Sequence, residues 1–442
     1  MKTPVNLDKR EIITEARPKP AEHFLLLQMP CGAFGRHLQG ALERSGARCT
    51  RIVLNGGDLM NTLELARGKV LYRKSPSEWP SWIADFALTN GITDVVCYGD
   101  CRFYHCAAID VLKPMGVKIH VLEEGYLRPN WITCEPDGVN GFSALTEIDI
   151  ESLPATSAHP TEIELKSSFL QYTWLGFLYY LWQFVFYPVF PRYLSHRDLS
   201  VTLEAMLWIR RGLTWPMRRI QSSRISKRIH ALKKPVHLVL LQLNGDSQIR
   251  IHSDFSSVWE FARYCIAEFA ESGASDDLLV FKNHPLDNGV IPLRKLIMAE
   301  AAQTGLTGRV LFVDGGNLVS LLEQAVSAIS INSTACHQAL RRGIPTLVLG
   351  RSVYNHPLIT SRMKMREFVR TLPAKKRSDY DKLISCMIRY SQINGGFYSK
   401  QGYTILVPSL IAALRKADDN AVAPQHADMQ VIEQGHRPEY AA

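Results

Sequence analysis

The run Val121-Leu-Glu-Glu-Gly-Tyr-Leu-Arg-Pro129 sets two adjacent carboxylates, Glu123 and Glu124, against the end of the apolar stretch 117–122. In an α/β protein such a junction is the carboxyl end of a buried strand, where ligands sit and catalytic side chains are displayed. Adjacent acids repel each other and can be driven to different protonation states, as general acid–base or nucleophilic chemistry requires. The same pair is compatible with a capped loop or an ion pair to Arg128.

Three further clusters follow apolar runs. In Phe281-Lys-Asn-His-Pro285 the proline holds His284 extended and off the strand end, with Lys282 adding charge for a phosphate. In Ile331-Asn-Ser-Thr334 the Ser333 and Thr334 hydroxyls precede a predicted helix over 335–342, whose open N–H groups attract an anion or are simply capped. In Gly245-Asp-Ser-Gln-Ile-Arg-Ile-His-Ser253 the residues Gln248, Arg250 and His252 alternate, so an extended segment would aim all three at a carboxylate or hydroxyls. Neither a Gly-x-x-x-x-Gly-Lys-Ser/Thr loop nor a Gly-x-Gly-x-x-Gly after the first strand occurs, which argues against an ATPase and against the usual dinucleotide fingerprint. Cys97, Cys101, His105 and Cys106 match no paired zinc-knuckle spacing and read as core residues, so no metal is expected.

The elements that position these clusters alternate regularly. Strands are predicted over 24–28, 51–54, 92–98 and 117–122 with helices between them, and again over 237–242, 278–282, 310–313, 328–331 and 346–349. Such β-α-β alternation predicts parallel sheets covered by helices. The expected organisation is a flexible N-terminus (1–20), a Rossmann-like acceptor-side domain (21–150), a helical insertion (151–234), a second Rossmann-like domain (235–416) and a disordered tail (417–442).

The insertion is unusual. Of the residues from Phe169 to Phe190, eleven are Phe, Tyr or Trp, and no charge occurs between Lys166 and Arg192. From Pro191 to Pro235 eleven Lys and Arg face two acids, which accounts for the whole net charge of +9. An uncharged aromatic run beside a basic one predicts attachment to an anionic leaflet over a membrane span, because aromatic rings gather at headgroup level. The expected contacts are Trp174, Tyr179, Trp182, Arg210, Arg211 and Arg218; a buried inter-domain helix pair is the plainer alternative. Aromatics and basic residues do not interleave, which counts against a nucleic-acid partner. The polar start and nine scattered cysteines fit a reduced cytosolic protein without a secretory signal.

Together the motifs resemble the capsule polysaccharide biosynthesis and export proteins of the KpsS/LipB type from Gram-negative bacteria. The resemblance rests on Tyr98-Gly-Asp-Cys-Arg102, Glu123-Glu-Gly-Tyr-Leu-Arg-Pro129, Trp131-Ile-Thr133, Gly138-Val-Asn-Gly141, Asp246-Ser-Gln-Ile-Arg-Ile-His-Ser253, His284-Pro-Leu-Asp-Asn288, Ile331-Asn-Ser-Thr334, Leu349-Gly-Arg351 and Gln392-Ile-Asn-Gly395. It spans roughly residues 24–404, with departures at Gln242-Leu-Asn-Gly-Asp246 and at Cys336, where the family often has a small glycine.

It implies two Rossmann-like domains facing a cleft, as in GT-B-like glycosyltransferases. It also implies transfer of Kdo from CMP-Kdo to the glycerol of (lyso)phosphatidylglycerol at the cytoplasmic face of the inner membrane. By that resemblance Glu123 and Glu124 are catalytic, while His284, Pro285, Lys282, Ser333 and Thr334 hold CMP. No cofactor or metal is then required, since one phosphate suits a helix N-terminus and a histidine. Arg250, Gln248, Arg128, Asp100 and Arg102 are the candidates for holding the acidic sugar. If configuration is retained, one acid forms a glycosyl-enzyme; Glu123, Glu124, Asp100 and Glu135 all stay open for that role. Partners implied are the membrane surface, a linker-extending transferase and an export complex. A transferase for another CMP-linked acidic sugar, or a non-catalytic membrane adaptor, fits the same motifs less fully.

Overall fold

The computed structural model describes residues 21–63, 67–154, 162–166, 169–195, 197 and 199–416. The expected flexible N-terminus and disordered tail lie outside these residues. Twelve strands are described: β1 His23–Leu27, β2 Arg48–Val53, β3 Lys69–Leu71, β4 Asp94–Tyr98, β5 Lys118–Glu124, β6 Trp131–Pro136, β7 Val236–Leu240, β8 Leu278–Lys282, β9 Val310–Val313, β10 Ala325–Ser330, β11 Thr346–Val348 and β12 Gln392–Asn394. They form a seven-stranded sheet, β12-β6-β5-β4-β1-β2-β3, and a five-stranded one, β11-β10-β7-β8-β9. The second sheet is parallel throughout, with every residue of β7, β8 and β9 buried. Continuous apolar strands of this kind are what a sheet covered on both faces requires.

The first sheet departs from the expected all-parallel pattern. β6 runs antiparallel to β5, and β12 antiparallel to β6. β12 comes from the far end of the chain, and the helix that follows it, Lys400–Lys416, packs on helix Phe34–Arg44 of the first domain. The boundary predicted at 235–416 is therefore corrected: residues from about 391 onward return to the first domain.

The insertion is helical as predicted, but it is divided between the domains. Helix Phe169–Val185 lies on the first domain, where Gly56 and Gly57 let it approach so closely that an added Cβ would stand 2.2 Å from the Trp182 carbonyl oxygen and 2.5 Å from the Tyr179 ring. The Tyr179 hydroxyl receives a bond from Asn55 Nδ2 and donates one to Asp58 Oδ1, both 2.9 Å. Helices Val201–Leu213 and Trp215–Leu232 lie on the second domain, with Ile225 and Ile229 joining its core. Among the described residues, no helix is long and apolar enough to cross a membrane.

Candidate active site

β5 runs two residues past its predicted end, so Glu123 and Glu124 are its last two positions. Neighbouring side chains on a strand point to opposite faces. The two acids therefore look into different surroundings, so their mutual repulsion is joined by a difference in environment.

Glu123 shares its face with Glu135 of β6, because Val121 opposes Glu135 and Glu123 opposes Thr133 across the antiparallel ladder. Burial pushes the Glu123 carboxyl up to about 7, against a bond that its Oε1 accepts from the Glu124 N–H at 3.0 Å. Repulsion from Glu124 is a smaller contribution. Burial likewise lifts Glu135 to about 7; its carboxylate accepts a bond from the Ser143 hydroxyl. Asp100 raises both acids, yet it is itself fully buried, accepting from the Val139 N–H at 2.8 Å and the Cys101 thiol at 3.1 Å. It anchors the loop beside the acids through these bonds.

Glu124 faces a tyrosine cluster. Tyr98 donates to its Oε1 at 3.3 Å and lies 3.3 Å from the Tyr398 hydroxyl; Tyr172 packs edge-on against Tyr398 at 4.7 Å. Arg102 sits over the Tyr98 ring at 5.3 Å and belongs to this face. Tyr172 is on the aromatic helix, so the Glu124 face opens beneath that helix.

The second domain approaches the Glu123 face. Exposed Arg128 acts on Glu123, on Asp246 and on His284, favouring charge on the two acids and opposing it on the imidazole. One guanidinium thus couples the acid strand to two strand-end loops across the domain boundary. His284 is held down to about 4, first by burial and then by Arg128 and Lys282, so it is neutral at pH 7. Its Nδ1 accepts the Leu286 N–H at 3.1 Å, which leaves the proton on Nε2 as a donor. Beside it, Gln242 and Asn332 tie the ends of β7 and β10 through bonds of 2.8 and 3.2 Å.

Several expected site residues stand elsewhere or act differently. Lys282 is buried and donates to the Asn283 carbonyl at 3.0 Å. The helix after Thr334 is only Cys336–Leu340, and Ser333 Oγ accepts the Ala335 N–H at 3.3 Å. Residues Ser247–Arg250 form a helical turn, seeded by Asp246 Oδ1 accepting the Gln248 N–H at 3.0 Å. Gln248 and Arg250 therefore do not face one way, and His252 points back into the first domain, edge-on to Phe142 at 4.6 Å.

Of the cysteines weighed as metal ligands, Cys106 bonds to the Asp100 carbonyl, and nearby His105 bonds to the Gly99 carbonyl. Cys101 lies with Asp100 and His252, all three ligand atoms within 4.8 Å of one another, close enough to hold a metal ion. Sequence spacing could not reveal that trio, because His252 comes from the other domain.

The residues expected to meet a membrane fall into two groups. Trp174 is 59% exposed, with Phe177 and Phe184 beside it on the outer face of the aromatic helix. Tyr179 is buried and Trp182 half-buried against the first domain, so the inner face of the helix is structural. Arg211 pairs with Asp314 at 2.7 Å and Asp287 at 3.6 Å, and Arg218 with Asp314 at 3.4 Å. Both arginines fasten the helices to the second domain, and Arg210, though exposed, donates to the Gly289 carbonyl at 2.7 Å.

This arrangement, two Rossmann-like domains meeting at strand-end acids, belongs to the capsule polysaccharide biosynthesis protein family, whose family model matches residues 93–398. The chain is 30% identical to the capsule polysaccharide export protein KpsS of Escherichia coli, over 85% of this chain and 96% of that protein. It is also 30% identical to the capsule polysaccharide modification protein LipB of Neisseria meningitidis, over 86% of this chain and 92% of that protein. Among solved structures it is similar to Thermosulfurimonas dismutans KpsC, beta Kdo 2,7 transferase, with 12% identity and a TM-score of 0.41 across 90% of this chain and all of that one.

Proposed function

We propose that this protein is a retaining glycosyltransferase that moves Kdo from CMP-Kdo to the glycerol of phosphatidylglycerol or its lyso form, at the cytoplasmic surface of the inner membrane. The observation that carries the reading is Glu123, a half-buried carboxyl poised near neutrality and coupled through Arg128 to the neutral His284 of the facing domain. In this reading His284 Nε2–H and the hydroxyls of Ser333 and Thr334 hold the CMP phosphate, and Arg128 balances the sugar's carboxylate.

Ionised Glu123 attacks the anomeric carbon as the bond to the CMP phosphate oxygen breaks and CMP leaves with the electron pair. The acceptor hydroxyl then displaces the Glu123 carboxylate from that carbon, its proton passing to water. Glu124, on the opposite face of the strand within the tyrosine cluster, takes no part in this step. A soluble acceptor would leave the exposed Trp174, Phe177 and Phe184 without a purpose.

The test is transfer of Kdo from freshly generated CMP-Kdo to a fluorescent lysophosphatidylglycerol, comparing wild type with Glu123→Gln and Glu124→Gln. One added Kdo, abolished by Glu123→Gln, is expected. Lipid-bound, folded protein that yields no product from CMP-Kdo sinks the assignment; product from another CMP-linked acidic sugar alone would replace the donor.

A further inference from the structure

On the outer side of the second domain, helices Val201–Leu213, Trp215–Leu232 and Leu293–Gln303 wall a groove of about 1390 Å³. Its acids, Asp287 and Asp314, are already engaged by Arg211 and Arg218. No other acid lines it, so Arg210, Arg224, Arg228, Arg294 and Lys295 leave the groove strongly cationic. Met217, Ile220, Val290, Ile291 and Met298 give it apolar lining as well. Met217, Ile220, Arg224 and Arg228 recur every three or four residues and form one stripe along their helix, apolar in its first half and cationic in its second. Met217 is 73% and Ile220 53% exposed, and Leu213 and Trp215 extend the apolar surface beyond the groove.

A groove that sets exposed arginines along one helix stripe with exposed apolar side chains complements a ligand with an anionic head and a hydrocarbon tail. We propose that it binds an acidic phospholipid, the phosphate lying against Arg224 and Arg228 and an acyl chain along Met217 and Ile220. Neither Glu123 nor His284 lines it, and the proposal rests only on the membrane-surface part of the function proposed above, not on its sugar chemistry. The aromatic helix would supply attachment regardless of headgroup, and the groove the choice of headgroup.

The test uses the full chain in flotation with vesicles of phosphatidylcholine alone or mixed with phosphatidylglycerol, and competition by soluble dihexanoyl-phosphatidylglycerol. Wild type should prefer the mixed vesicles, and the short-chain lipid should compete. Because each basic residue near an anionic surface contributes roughly fivefold, Arg224→Ala with Arg228→Ala should cut the preference about thirtyfold and leave binding to phosphatidylcholine unchanged. Ile220→Ser should weaken the short-chain lipid without altering competition by inorganic phosphate. The proposal is overturned if the double variant keeps its preference, or if the short-chain lipid fails to compete. It is equally overturned if inorganic phosphate or an RNA oligonucleotide competes as well as the lipid. Flotation reads binding alone, so absence of Kdo transfer would defeat the enzymatic reading and leave this one standing.

Discussion

Replacing Glu123 by glutamine removes a charge that the fold disfavours. Burial moves this carboxyl from 4.5 to about 7. Below 4.5 the acid is protonated in both the folded and the unfolded chain, and it does not bias folding. Between 4.5 and about 7 the unfolded chain ionises while the folded one keeps its proton, so stability falls as pH rises. Above about 7 both forms are ionised and the whole penalty is present, about 3 kcal/mol.

Glutamine has nearly the same shape, and its carbonyl oxygen can still accept the Glu124 N–H now 3.0 Å from Oε1. Glu123→Gln should therefore melt with wild type near pH 4.5 and above it near pH 8. For 442 residues melting as one unit the gap at alkaline pH is about 3 °C. Calorimetry on ligand-free protein across that range measures it. The same variant should be inactive, and wild-type transfer should rise with pH and level off above about 7, as an ionised nucleophile requires. A stability gap that stays flat with pH, or that widens towards acid, would refute the burial argument; an active Glu123→Gln would refute its chemical use.

Two further outcomes test the supports of the site. Gly57→Ala places a methyl group 2.5 Å from the Tyr179 ring and should lift the aromatic helix, lowering stability by about 1–3 kcal/mol and speeding proteolysis within residues 169–190. Arg211→Ala strips the closest cation from Asp314 and Asp287, each with a side chain less than one-fifth exposed, and should cost about 3–5 kcal/mol in denaturant unfolding at neutral pH. Burial pushes the Asp314 carboxyl up, but Arg211 and Arg218 more than offset it and hold its pKa below the ordinary value. That stabilisation is present above the unfolded acid's range and is lost as pH falls, so the defect should shrink in acid.

The acid junction was legible because an apolar run ending in two carboxylates has few structural explanations. Its sidedness was also encoded, since consecutive residues of a strand diverge, but ending the strand at Leu122 hid that period. β6 was harder to read: Trp131–Pro136 follows β5 after a short turn and runs back along it, whereas alternating helices had suggested parallel crossovers. β12 has only three residues, too few to carry a periodic signal, and its pairing with β6 joins positions more than 250 residues apart. Arg211 and Arg218 looked like surface charge because their partner Asp314 lies about a hundred residues further on. The turn at Ser247–Arg250 was missed for a local reason: Asp246 competes for the backbone and starts a helix where alternation suggested an extended arm.

The division of the helical insertion gives each lobe of the molecule its own footing. The aromatic foot is bolted to the first lobe through Tyr179, Asn55 and Asp58, and the basic foot to the second through Arg211 and Asp314. Were the two lobes to turn relative to each other, the two feet could not rest on one plane at every angle. A flat membrane touching both would brace the jaws like a stand under a pair of callipers, fixing the gap between Glu123 and His284. Adsorption would then do more than deliver the acceptor: it would set the opening at which the sugar can change hands.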